Sequence, residues 1–249
     1  MDTRALALSF VTPDRQRARR IAEIPAGAER LPIDGIAAWR WGAGETVLLV
    51  HGWEGSHHDL LAFVDPLRDA GFAVAALDLP GHGESAGDIA PLPAMAEAVR
   101  RVGMTVGPLK GIVAHSVGCP ASSVAVHRGL AVERMVLLAS PARYERTAQT
   151  VARAKGLDAT GWSAMRARLL ELGAEFNGLD MPEIGAAMTH PTLFVHSADD
   201  RIVPLTYGRE AAATWPKALF REVDGLGHAR LLGDPAVIAE AVAFMKAEH

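Results

Sequence analysis

Cysteine is almost missing from this sequence. A single thiol, Cys119, stands among 249 residues, which excludes an internal disulfide and fits a reducing compartment. No run of 18 apolar residues occurs, so no membrane-spanning helix and no membrane partner are expected. The opening Met1-Asp-Thr-Arg4 carries an acid where a secretory signal needs only bases. Together these absences predict a cytoplasmic protein. A basic excess is lacking too: 25 Lys and Arg face 29 Asp and Glu, for a net charge of −4, which argues against nucleic acid as a partner. The one basic cluster, Arg15, Arg17, Arg19 and Arg20, has no interleaved aromatics and reads as a solvated face. Around His57 and His58 no carboxylate or cysteine stands at metal-ligand spacing, so no metal is expected and the pair reads as a surface helix start. No internal repeat or low-complexity tract appears.

What is present is ordinary globular composition, 49% hydrophobic and 22% charged, in a chain long enough for one domain with a large core. Residues 46–50, 72–77, 112–114, 135–139 and 192–196 are continuous apolar runs between polar loops, the form of strands covered on both faces. Residues 19–24 and 31–41 read as further edge strands, and 218–223 as a late strand. Met95, Val99, Val102 and Val106 recur at helical spacing between two runs, as a crossover helix would. The last helix is the best delimited, with Asp234 to cap it, Pro235 at its first position, and a stripe of Val237, Ile238, Ala241, Val242 and Met245. Alternating strands and helices predict an α/β fold with a doubly wound, mostly parallel sheet whose ligands sit beyond the carboxyl ends of the strands. We expect a single domain over 1–249, its core formed by 1–140 and 191–249. Residues 141–190 are too long for a plain crossover. They read as a helical cap, because Tyr144, Trp162, Met165, Phe176, Met181 and Met188 supply more apolar surface than one packed helix needs. The alternative is a decorated crossover without ligand contact.

Chemistry concentrates at the ends of these runs. Gly111-Ile-Val-Ala-His-Ser-Val-Gly118 reads as a strand turning sharply into a helix, with Ser116 at the apex and small residues, Ala114 and Gly118, two positions to either side. The pattern is Gly-x-Ser-x-Gly, a nucleophile elbow, from which Ala114 departs by one methyl. A serine hydroxyl needs a base and a group to orient that base. Of ten histidines, His228 is the best placed, in a glycine-rich loop after strand 218–223. His115 is excluded as the base because adjacent residues on an extended chain point opposite ways. Asp199 and Asp200, after run 192–196, both qualify chemically as the orienting acid. Cys119 reads as a small buried residue on the first helical turn. Gly81-His-Gly-Glu-Ser-Ala-Gly87 misses the dinucleotide fingerprint by one residue, so it reads as a structural turn and does not imply NAD.

On His51-Gly-Trp53, Asp78-Leu-Pro-Gly-His-Gly-Glu-Ser85, Ala114-His-Ser-Val-Gly118, Asp200-Arg-Ile-Val-Pro204 and Gly227-His228, the chain resembles the α/β-hydrolase superfamily over nearly its whole length. The order Ser116, Asp200, His228 is the order of that superfamily. The resemblance selects Asp200 as the acid, four residues before Pro204, and implies an oxyanion hole from the Trp53 and Val117 amides. It implies a serine esterase of the carboxylesterase kind, acting on small carboxylic esters without a metal or other cofactor, with Trp53, Tyr144, Trp162 and Met165 lining the substrate site. Thioesterase, carbon–carbon bond hydrolase and perhydrolase activities use the same residues. A ligand-sensing relative that does not turn over is the alternative from another class.

Overall fold

The computed structural model describes residues 2–17 and 23–247. In chain order they form α1 (Thr3–Val11), β1 (Glu29–Arg30), β2 (Ala38–Trp41), β3 (Thr46–Val50), α2 (Val64–Asp69), β4 (Ala73–Leu77), α3 (Leu92–Val106), β5 (Leu109–His115), α4 (Gly118–His127), β6 (Val132–Leu138), α5 (Tyr144–Ala154), α6 (Ala159–Glu171), α7 (Met181–Gly185), β7 (Thr192–Ser197), α8 (Leu205–Ala212), β8 (Ala218–Val223) and α9 (Pro235–Lys246). The strands make one eight-stranded sheet in the order β1-β2-β4-β3-β5-β6-β7-β8. β1 and β2 are antiparallel, and from β4 to β8 every pairing is parallel.

Every residue of β3 and β4 is buried, as expected of strands with helices on both faces. The two-residue period divides them: Leu48 and Val50 enter one core with α3 and α4, while Val47 and Leu49 enter the other with α2 and α9. The registers Val50↔Leu77, Val50↔Ala114 and Ala114↔Leu137 level the carboxyl ends of four adjacent strands. Residues 51–53, 78, 116 and 139 therefore leave the sheet along one edge. The two best-read helices form as expected. Met95, Val99, Val102 and Val106 are buried on α3, and the Asp234 side chain accepts the Ala236 and Val237 amides at the start of α9.

The N-terminal region differs from expectation. Residues 2–11 carry no clear period, yet Thr3–Val11 is a helix capped by Asp2, whose carboxylate accepts the Arg4 and Ala5 amides. Ala7 and Val11 of α1 pack with Ala148 and Ala152 of α5 and Met165 and Leu169 of α6, in a cluster separate from the two cores. So the N-terminal helix shares its buried face with the 141–190 segment. Only residues 38–41 of the expected 31–41 strand pair in the sheet. The expected strand at 19–24 falls largely on 18–22, outside the described residues, as do Arg19 and Arg20. Arg15 gives its guanidinium to the carbonyls of Gly83 and Gly87. Arg143 and Arg146 both pair with Glu210 of α8, which fastens the start of α5 to the sheet domain. No helix of the described residues is long and apolar enough to cross a membrane.

Candidate active site

Ser116 follows directly on β5 with φ at 51°, a left-handed conformation that a residue other than glycine adopts at a cost of order 1–3 kcal/mol. The turn is tight because α4 starts two residues later against the end of β3. A Cβ on Gly118 would come within 2.5 Å of the His51 carbonyl oxygen and 2.7 Å of that of Val50, so this position admits only glycine. Ala114 is fully buried in the sheet, and its methyl is accommodated there.

Ser116 Oγ lies 3.0 Å from His228 Nε2, and His228 Nδ1 lies 2.8 Å from Asp200 Oδ2. A carboxylate only accepts, so Nδ1 carries the ring proton and Nε2 is left to accept from the serine hydroxyl. Asp200 is held in turn by the Ile202 and Val203 amides, which donate to its Oδ1 at 2.8 and 2.9 Å. Burial alone would raise its pKa. Hydrogen bonds from His196, His228 and the Val203 amide outweigh that and hold it well below the usual carboxylate range. Asp199, its chemical equal in sequence, faces elsewhere: its Oδ1 accepts from Ser197 Oγ and from the Gly227 amide, bracing the loop ahead of His228.

Trp53 stands in a tight turn closed by the Gly55 amide on the Gly52 carbonyl, and Val117 is the N-cap residue of α4. Among the described residues neither amide has a hydrogen-bond acceptor. The Val117 amide also sits at a helix N-terminus, where negative charge is stabilised. Behind them His51 ties two loops together, its Nδ1 donating to the Gly52 carbonyl at 2.7 Å and its Nε2 accepting the Leu79 amide at 2.9 Å.

His57 is not on the surface. It does start a helical turn, but its ring is 1% exposed, stacks on Trp39 at 3.7 Å, and hydrogen-bonds through Nδ1 to Asp78 at 2.9 Å. The Trp39 ring stacked on it comes from β2, which the sequence around residue 57 cannot reveal. Asp78 also accepts the His57 and Glu84 amides, so the Asp78 to Ser85 segment is a braced structural turn. Cys119 is fully buried on the first turn of α4, and burial pushes its thiol pKa up, away from nucleophilic use.

The structure brings Tyr144, Trp162 and Met165 together in the cluster around α1, α5 and α6. The Tyr144 ring lies 5.7 Å from both Phe10 and Phe176, and burial pushes its hydroxyl up to about 12. Met165 is wholly buried, its surface spent on the helix seam. Trp53 packs instead against the main core, edge-on to His82 at 5.1 Å. Two open clefts, of about 590 and 310 Å³, are lined by residues 30–37, 84 and 86 and by residues 32–34, 100, 101, 104 and 105. Neither includes Ser116. Among the described residues no group of three His, Cys, Asp or Glu side chains could hold a metal ion.

One residue of this site has a place that its sequence position does not suggest. The His115 ring, dismissed as a base, lies buried with its Nε2 2.9 Å from the His228 main-chain oxygen. No sequence signal marks it, because its partner is a backbone atom 113 positions away.

A model of the alpha/beta hydrolase family matches residues 47–241, which include Ser116, Asp200, His228 and both candidate amides. A pimeloyl-[acyl-carrier protein] methyl ester esterase of Xanthomonas campestris pv. campestris is 28% identical over 240 residues, covering 81% of this chain and 94% of its own. The dihydrolipoyllysine-residue acetyltransferase component of the acetoin cleaving system of Cupriavidus necator is 42% identical over 85 residues. That match covers 33% of this chain and only 19% of the Cupriavidus protein. Among solved structures, Rv0554 from Mycobacterium tuberculosis superposes with a TM-score of 0.69 at 18% identity, covering 86% of this chain and 94% of that one.

Proposed function

The chain belongs to the alpha/beta hydrolase family, and on that premise we propose that it is a serine esterase of small carboxylic esters, working through Ser116, His228 and Asp200. The observation that carries this reading is the unbroken line of hydrogen bonds from Ser116 Oγ through His228 to Asp200 Oδ2, raised on a left-handed elbow. The Xanthomonas relative, a methyl ester esterase, supports an ester as the substrate.

In this reading Ser116 Oγ attacks the ester carbonyl carbon while His228 Nε2 takes its proton. Asp200, held anionic, stabilises the imidazolium that results. Charge gathers on the carbonyl oxygen, and the free Val117 and Trp53 amides receive it; each such donor contributes roughly 3–4 kcal/mol to lowering the barrier. Collapse breaks the ester C–O bond, and His228 returns its proton to the departing alkoxide, which leaves as the alcohol. Water, deprotonated by His228, then attacks the acyl-enzyme and releases the acid with Ser116 restored. Every group these steps use belongs to the chain, the substrate or water. Trp53 and the 141–190 cap, through Tyr144 and Trp162, are the proposed lining that selects the acyl group; Met165, buried in the helix seam, supports that cap from behind.

The test is hydrolysis of short acyl p-nitrophenyl esters by the purified protein. Multiple turnovers are expected, with Ser116→Ala and His228→Ala each lowering kcat by about 10⁴-fold or more. Wild-type rates in Ser116→Ala would end this reading.

A further inference from the structure

His115 immediately precedes the proposed nucleophile, yet its side chain runs to the other side of the site. Its Nε2 stands 2.9 Å from the main-chain oxygen of His228. A carbonyl oxygen only accepts, so Nε2 carries the proton and donates it. The two imidazoles lie 4.8 Å apart, tilted by 49°. On its other side the His115 ring fills the space above Gly52, where an added Cβ would come within 2.8 Å of Nδ1 and 3.0 Å of Ser116 Cβ. One buried ring is thus wedged between the loop that carries Trp53 and the loop that carries His228, on the strand that carries Ser116. Burial, followed by the field of His228, pushes its pKa down to about 3, so it stays a neutral donor wherever an esterase works.

The His228 loop needs such a tie. Gly225 and Gly227 both take left-handed conformations, leaving the loop little stiffness of its own. Ser197 and Asp199 secure the Leu226 and Gly227 amides, and Asp200 secures the far side of the imidazole. The carbonyl of the base residue itself is held from β5.

Resting on the serine-esterase reading, we propose that His115 is a positioning residue, whose hydrogen bond to the His228 carbonyl sets the distance between the base and Ser116 Oγ. It takes no proton from substrate or nucleophile.

The test compares His115→Gln, whose side-chain amide places a donor where Nε2 stands, with His115→Met, of similar reach and no donor, on a p-nitrophenyl ester. The glutamine variant is expected to keep kcat within about fivefold, and the methionine variant to lose about 10- to 100-fold in kcat with KM within about twofold, the cost of a misplaced base. Wild-type kcat in His115→Met, equal loss in both variants, or an effect confined to KM would overturn the proposal. If His115→Met fails to fold, nitrogen-15 spectra of the wild-type histidines decide. Protonation at Nε2 with no titration between about pH 5 and 8 supports it; protonation at Nδ1, or titration in that range, overturns it. A dead Ser116→Ala beside a fully active His115→Met would sink this inference alone, whereas an active Ser116→Ala would sink the reading beneath it.

Discussion

Asp199 and Asp200 leave the end of β7 one after the other, and the backbone turns their carboxylates to different partners. Asp200 is almost fully buried, with one oxygen on the His228 ring and the other on two amides. Asp199 has a side chain 39% exposed and braces Gly227. Replacing Asp200 by Asn would turn an amide N–H toward Nδ1 and force the ring proton onto Nε2, where it can no longer accept from Ser116. A fall of about 10⁴-fold in kcat is expected of Asp200→Asn. Asp199→Asn keeps an oxygen that can accept the Gly227 amide, and its kcat is expected within about tenfold of wild type. Steady-state kinetics on the pair separates the two roles, and equal losses would mean that the carboxylates act together.

Helices α1, α5 and α6 stand or fall on a shared seam. Single helices of 9 to 13 residues, as these are, are marginal alone in water, so their stability comes from the buried faces they share. Met165 lies at zero exposure in that seam, beside Ala7, Val11, Ala148 and Ala152. Truncation to alanine leaves a cavity among small residues that cannot close over it. Met165→Ala is therefore expected to destabilise this helical unit by about 2–5 kcal/mol, read as faster amide hydrogen exchange in residues 3–11 and 144–171. A residue that only lines a substrate site would move KM and leave exchange unchanged. The sequence marks α5, whose apolar residues gather on one face of a polar helix, far more clearly than α6. It does not mark α1, whose two buried residues, Ala7 and Val11, are too few to make a stripe.

The whole molecule buries several histidines in neutral form, and that sets its response to acid. Burial pushes both His82 and His115 down to about 3, and lowers His51 as well. In the unfolded chain these groups take protons near pH 6.5, so between about 6.5 and 3 the unfolded state binds more protons than the folded one. Stability then rises with pH across that window: the histidine contribution is complete above about pH 6.5 and is lost on acidification. Asp78 and Asp200 are depressed as well, but from an ordinary value of about 4, so their contribution is present above about pH 4 and declines only below it. Burial raises Asp180, whose contribution runs the other way, so the rise in stability between about pH 5 and 7 belongs to the histidines. His82→Gln, which removes one of them, is expected to flatten the dependence of the urea midpoint on pH across about 5 to 7, and an unchanged slope would contradict the assignment.

Sequence by itself determined the layers and the order of the chemistry. The runs at 46–50, 72–77 and 192–196 reappear almost residue for residue as β3, β4 and β7, because a strand buried on both faces reads as a near-continuous apolar run, with polar residues such as Thr46 and Thr192 only at its ends. The elbow was legible because its small residues lie within two positions of the serine, and Asp234 and Pro235 marked α9 for the same reason of short range. Tertiary structure decided which groups meet. Asp200 and His228 are 28 positions apart, Ser116 and His228 are 112, and His115 reaches His228 across 113. It also drew His57 from an expected surface place to the interior, and seated α1 on the 141–190 helices. A sequence records which side chain stands at a position, but a hydrogen bond to a main-chain carbonyl, as His115 makes, leaves no mark on the residue that accepts it.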